Sequence, residues 1–155
     1  DGRELRLEQR PGPGPGACWL VSPEDQVIFV GDAVILGQPP FLAQADIDSW
    51  IDGLDLLLSR QFREYTVICG RGGKATPKDI TNQKHFLHEV RSRLLKFSKR
   101  KTTAAAEIDK LAIKMADKFK KPAKRHNFYV QRLKFGMHNY YARHYLPASK
   151  SQNNN

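Results

Sequence analysis

The chain has 155 residues, 40% hydrophobic and 27% charged, which fits one ordinary soluble domain. No apolar run approaches the roughly 18–20 residues needed to span a bilayer, and no signal peptide is visible, so a cytoplasmic protein with no membrane partner is expected. The net charge of +10 is uneven. Residues 1–80 carry 8 Lys/Arg against 12 Asp/Glu, and residues 81–155 carry 18 against 4, so the basic character belongs to the second half. Such a half suits either a solvated helical face or an anion-binding surface. Two cysteines, Cys18 and Cys69, are too few for a disulfide framework and read as ordinary buried thiols.

Residues 4–8 alternate polar and apolar, as a half-buried strand does. Pro11-Gly12-Pro13-Gly14-Pro15-Gly16 must be a loop, since its prolines lack donors and its glycines permit unusual φ. Apolar strands at 17–21 and 27–30, joined by the polar turn 22–26, read as a hairpin that ends at Gly31-Asp32. Asp46 is a helix N-cap, and Ile47, Trp50, Ile51, Leu54, Leu57 and Leu58 recur at helical spacing up to about Arg60. A strand at 65–69 closes in the glycine-rich loop Gly70-Arg71-Gly72-Gly73.

Thr76-Pro77-Lys78-Asp79 then caps a helix, with proline in its first turn and an acid near the positive end of its dipole. Ile80, Phe86, Leu87, Val90, Leu94 and Leu95 give this helix its apolar stripe, to about Phe97. A second amphipathic helix, from Thr103 to about Lys121, has Ile108, Leu111, Ala112 and Met115 inward and stops at Pro122. A last helix, from His126 to Tyr145, has apolar points at Phe128, Val130, Leu133, Tyr140 and Tyr141. Residues 149–155 read as a disordered polar tail. Three or four strands with this many helices on one side leave the other sheet face bare, so the chain reads as part of a larger α/β body. The near-continuous apolar strands call for a cover: a missing N-terminal half, a partner chain or self-association.

Pro11-Gly12-Pro13-Gly14-Pro15-Gly16-Ala17, Val27-Ile28-Phe29-Val30-Gly31-Asp32-Ala33 and Cys69-Gly70-Arg71-Gly72 follow in that order, with a strand hairpin and a helix between them. This frame resembles the C-terminal half of the metallo-β-lactamase-fold hydrolases. There a Pro-Gly-His-Thr-Pro-Gly-Ser loop precedes a hairpin ending in Gly-Asp, and a later strand closes in Gly-His-Gly. The resemblance covers residues 1–98 and continues more weakly to the end. It implies half of an αββα sandwich over residues 1–98, a basic helical extension over 99–148 packed on it, and the tail at 149–155.

The resemblance also places the family's metal ligands. Its first downstream histidine falls on Pro13 and its last on Arg71, while the acidic ligand survives as Asp32. The upstream His-x-His-x-Asp-His motif does not occur in this chain. Proline offers no ligand atom, and a guanidinium would repel Zn²⁺. Asp32 is therefore a relic ligand, Pro13 and Arg71 are degenerate ligand positions, and no catalytic residue and no cofactor are expected from this chain.

The expected function is that of a non-catalytic pseudoenzyme module acting by packing or binding. One alternative is a hydrolase of thioesters, lactams or phosphoesters, holding zinc or iron through ligands from its N-terminal half. Another is a nucleic-acid-associated basic protein, in which the cations of 118–125 interleave with Tyr129, Arg132, Lys134, Tyr140, Tyr141 and Arg143. Arg71 and Lys74, in a glycine loop read as running from strand to helix, form a possible anion-binding pair. Arg71 is also expected to replace the metal beside Asp32. Two unit charges about 4 Å apart attract by about 4 kcal/mol at an effective dielectric near 20, before desolvation. His85 and His88, three apart on a helix, read as solvated rather than metal-binding, and His126, His138 and His144 as structural.

Overall fold

The computed structural model describes residues 2–100, 104–119 and 123–146, with the side chains at 123 and 124 excepted. Five strands form one sheet in sequence order: β1 (Arg6–Gln9), β2 (Cys18–Ser22), β3 (Val27–Ile35), β4 (Thr66–Arg71) and β5 (Lys74–Ala75). β1, β2 and β3 pair antiparallel. β3 and β4 are parallel, joined by a crossover through α1 (Ile47–Leu58). β4 turns back antiparallel into β5. Three further helices follow, α2 (Pro77–Ser98), α3 (Ala105–Ala116) and α4 (Ala123–Tyr145). None of the described helices is long and apolar enough to cross a membrane. The expected tail at 149–155, and the helix ends at Thr103, Lys121 and Pro122, lie outside the described residues.

Local chemistry sets the helix starts. Asp46 accepts the Ser49 N–H at 3.1 Å. Thr76 and Asp79 form a reciprocal capping box, with Pro77 in the first turn. Trp19, Val21, Ile28, Val30, Val67 and Cys69 face the helices and join Trp50, Leu54, Leu87 and Leu94 in one core. α4 lies across the 37–45 loop, where the Tyr129 hydroxyl donates to Gly37 O, Arg132 Nε to Pro39 O and Arg143 Nη2 to Ala45 O.

The opposite sheet face is uncovered. Leu7, Leu20, Phe29 and Ile68 stand in register across four strands; Leu7 is 72% exposed and Phe29 46%. This corrects the half-buried strand expected at 4–8. β1 lies two residues later at one end and is exposed along most of its length. It turns Arg6 and Glu8 toward the helix side and Leu5 and Leu7 outward, because its register with β2 puts Leu7 beside Leu20.

The structure overturns several further expectations. β3 does not end at Gly31-Asp32 but runs to Ile35, with register shifts against β4 at Gly31. The loop after β4 is a hairpin turn into β5, not a strand-to-helix loop. Gly72 and Gly73 take φ of +100° and +83° there, and a Cβ at Gly72 would fall 2.6 Å from the Leu36 side chain. Leu95 is 39% exposed, and Phe128, read as an apolar point of the last helix, is 59% exposed, since each lies off the buried stripe of its helix. Cys18 is exposed rather than buried, because it stands on the uncovered face of β2.

Candidate functional site

Asp32 sits in the irregular stretch of β3 between Gly31 and Ile35, where pairing with β4 is interrupted. Buried side chains hold that stretch. Trp50 Nε1 donates to Ala33 O at 2.8 Å. The Gln83 amide accepts from Ile35 N at 2.8 Å and donates to the same Ala33 carbonyl. Gln83 is thus a buried polar residue of α2 whose contacts satisfy backbone that the sheet leaves unpaired. Gly70 on β4 completes the packing. A Cβ there would lie 3.2 Å from the Gly31 carbonyl carbon and 3.3 Å from Asp32 Oδ1, so a larger residue would push β4 a few tenths of an ångström away from β3 at this point.

The Pro-Gly loop is docked at the same sheet edge through Gly12, whose carbonyl accepts the Asp46 N–H at 2.8 Å. Between this loop and Asp32 lies an open cleft of about 410 Å³, lined among others by Pro13, Pro15, Cys18, Asp32 and Gln44. The structure therefore gathers the three motif positions. Pro13 and Asp32 share the cleft, and Arg71 Nε lies 3.4 Å from Asp32 Oδ1. The contact is single rather than a bidentate fork, with both side chains about half exposed (51% and 43%). An exposed pair of this kind contributes about 0–1 kcal/mol, well below the Coulomb figure expected from the sequence.

A second guanidinium lies near enough to feel their charges. Arg132 of α4 donates from Nε to Pro39 O at 3.1 Å and lies over the Phe41 ring at 5.0 Å. Its pKa is lowered, first by burial and then by the charge of Arg71, against a smaller opposing effect of Asp32. The sequence presents Arg132 only as one cation of a basic helix; no local motif could bring it to Asp32, a hundred residues away. Cys18 also escapes a reading by motifs, although it follows the Pro-Gly run directly.

Lys74 is exposed on β5, in the hairpin after β4 and two residues before the Thr76 cap of α2. His85 and His88 are exposed on α2. His138 lies 2.9 Å from Asp109, which also takes Lys134 at 2.8 Å, tying α3 to α4. Of the interleaved aromatics, Tyr129 and Tyr140 are core residues.

The donor set does not fit a catalytic metal. Asp32 and the exposed Cys18 are the cleft's only side chains of metal-ligating type, and among the described residues no three His, Cys, Asp or Glu side chains gather as a metal site would require. Arg71 also sets a permanent cation on the one carboxylate a metal would use.

No family model matches the sequence, and no curated protein does. Solved structures do match. A metallo-β-lactamase family protein from Thermus thermophilus superposes with a TM-score of 0.55 at 19% identity, covering 88% of this chain and 44% of its own. A β-lactamase domain protein from Burkholderia ambifaria does so with a TM-score of 0.53 at 16% identity, covering 86% and 41%. The chain spans less than half the length of either, and its fold is half of a metallo-β-lactamase-like αββα sandwich with added C-terminal helices.

Proposed function

We propose, from this half-sandwich fold, that the chain is a non-catalytic module that works by binding, its former metal edge turned into a cationic surface. The observation that carries the reading is the grouping of Pro13, Asp32 and Arg71 at one sheet edge, with Arg132 brought in by α4. One carboxylate paired with Arg71, with the charge of Arg132 nearby, leaves net positive charge and no means of activating water. The test is turnover by the full chain supplied with zinc, iron or manganese, against a lactam, a thioester and a phosphodiester. The reading predicts none above a protein-free blank. Turnover abolished by Asp32→Ala would overturn it, and turnover that appears only once the N-terminal half is added would favour a hydrolase whose N-terminal half supplies the ligands.

The uncovered sheet face supports a partner in the same reading. β1 turns its polar residues to the helix side and leucines to the open side, the reverse of what a solvated face would have. The occupant proposed is the opposing sheet of the other half of the sandwich, since both structural relatives are more than twice as long as the part this chain matches. Phe29→Lys should abolish complementation by that half in a two-fragment assembly experiment. Unchanged assembly would rule the face out, and a symmetric dimer of this chain would assign it to self-association.

A further inference from the structure

α4 carries cations and no acid. Its 23 residues contain Lys124, Arg125, Arg132, Lys134 and Arg143, and neither Asp nor Glu. Lys134 is neutralised by Asp109; Arg125 and Arg143 remain exposed. On the same helix Phe128 is 59% exposed and Phe135 57%. At a spacing of seven these rings share a face, about 10 Å apart along the axis. Arg132 falls on that face between them. Its guanidinium covers one ring of a stacked pair, Phe41 and Phe135, whose centroids are 6.0 Å apart with planes at 16°. Arg71 O accepts the Leu36 N–H, next to the Gly37 carbonyl that takes the Tyr129 hydroxyl of α4, and its charge depresses the Arg132 pKa. Among the described residues, the Nη groups of neither arginine make a hydrogen bond.

We infer that this face, with Phe128 and Phe135 as platforms and Arg71 and Arg132 as anion donors, binds single-stranded nucleic acid. The inference rests on the reading of the cleft as a binding surface and names its ligand. Two features together select this ligand. The surplus of cations on α4 calls for a polyanion, and guanidinium forks suit phosphate oxygens. Exposed rings fixed two helical turns apart call for flat apolar faces at a similar repeat, which unpaired bases supply and a duplex hides within its stack. A plain polyanion would leave Phe128 and Phe135 without a role, and an apolar partner would leave the arginines without one.

The experiment is fluorescence anisotropy of a labelled oligothymidylate with the full chain at several salt concentrations, and with a labelled duplex hairpin in parallel. The expected results are saturable binding that weakens with salt and a preference for the single strand. Phe128→Ala/Phe135→Ala should weaken binding at least tenfold with its salt slope unchanged, and Arg71→Ala should flatten that slope. Both variants alter exposed side chains, and unchanged thermal unfolding would confirm that they fold. Wild-type affinity in the phenylalanine double variant, equal or tighter binding of the duplex, or no binding at low salt would each overturn the inference. So would a dimer, seen by sedimentation, that the double variant breaks, because the stripe would then be a contact between copies. Cleavage of the oligonucleotide would overturn the non-catalytic reading while leaving ring-dependent binding intact, and a failure to bind would leave that reading untouched.

Discussion

Arg71 Nε stands 3.4 Å from Asp32 Oδ1, where the end of β4 meets the irregular stretch of β3, one contact between two half-exposed side chains. Solvent screens such a pair, and neither charge is stranded when the other is removed. A larger cost for deleting Arg71 alone than for deleting both partners would belong to a buried pair. In a double-mutant cycle of Asp32→Ala and Arg71→Ala, followed by urea unfolding, the coupling should be below about 1 kcal/mol. A coupling of several kcal/mol would mean the pair is closed from solvent when the sheet face is covered.

Gln83 should matter more to stability than either charge. Gln83→Leu keeps the volume but leaves the buried Ile35 N–H without its acceptor, while Ala33 O keeps Trp50 as donor. The expected loss is about 1–3 kcal/mol, the cost of one orphaned buried group. Urea unfolding measures it. A neutral result would show that the bend in β3 finds another partner.

The capping box ties stability to pH. Hydrogen bonds from the Thr76 side chain, then from its backbone, hold Asp79 below the usual carboxylate range. A lowered carboxyl stabilises the fold above its unfolded pKa, and the contribution disappears as pH falls through the folded value. Thr76→Ala should cost about 1 kcal/mol at neutral pH, with the gap to wild type narrowing in acid. A gap independent of pH would separate the cap from the carboxylate.

The two thiols should differ sharply. Cys18 is exposed on the cleft and should react with a thiol reagent at the rate of a free thiol. Burial, with a lesser effect of Asp79, pushes Cys69 up to about 11, so it should stay protected until the chain unfolds. Above about pH 9 the unfolded thiol ionises and the folded one does not, so this group removes stability progressively between about 9 and 11. Equal labelling rates of the two cysteines in the native chain would contradict the placement of β4.

Helix starts and the β2–β3 hairpin are legible in the sequence because their signals are local. Asp46 and the Thr76-Pro77-Lys78-Asp79 run announce their caps, and the polar turn 22–26 separates two apolar runs. The three motif positions gather at one edge because Pro13 lies in the loop after β1, Asp32 in the irregular stretch of β3 and Arg71 at the end of β4. What escapes is non-local. β3 continues past Asp32 because β4, some 35 residues on, and Gln83, some 50 on, satisfy its backbone. Helical spacing alone puts Phe128 inward, yet the buried face of α4 is set by α2 and α3 and runs through Tyr129, Val130, Leu133 and Met137. Arg132 reaches the site only because α4 folds over the 37–45 loop.

The central claim is that the sheet edge formed by Pro13, Asp32 and Arg71 holds no metal in this chain, and the metal content of the purified protein tests it most directly. Elemental analysis after equilibration with zinc and with iron should find no stoichiometric metal, and Asp32→Ala should change nothing. About one bound metal per chain, lost in Asp32→Ala, would contradict the account, because a single carboxylate beside two arginines supplies too few donors to hold it.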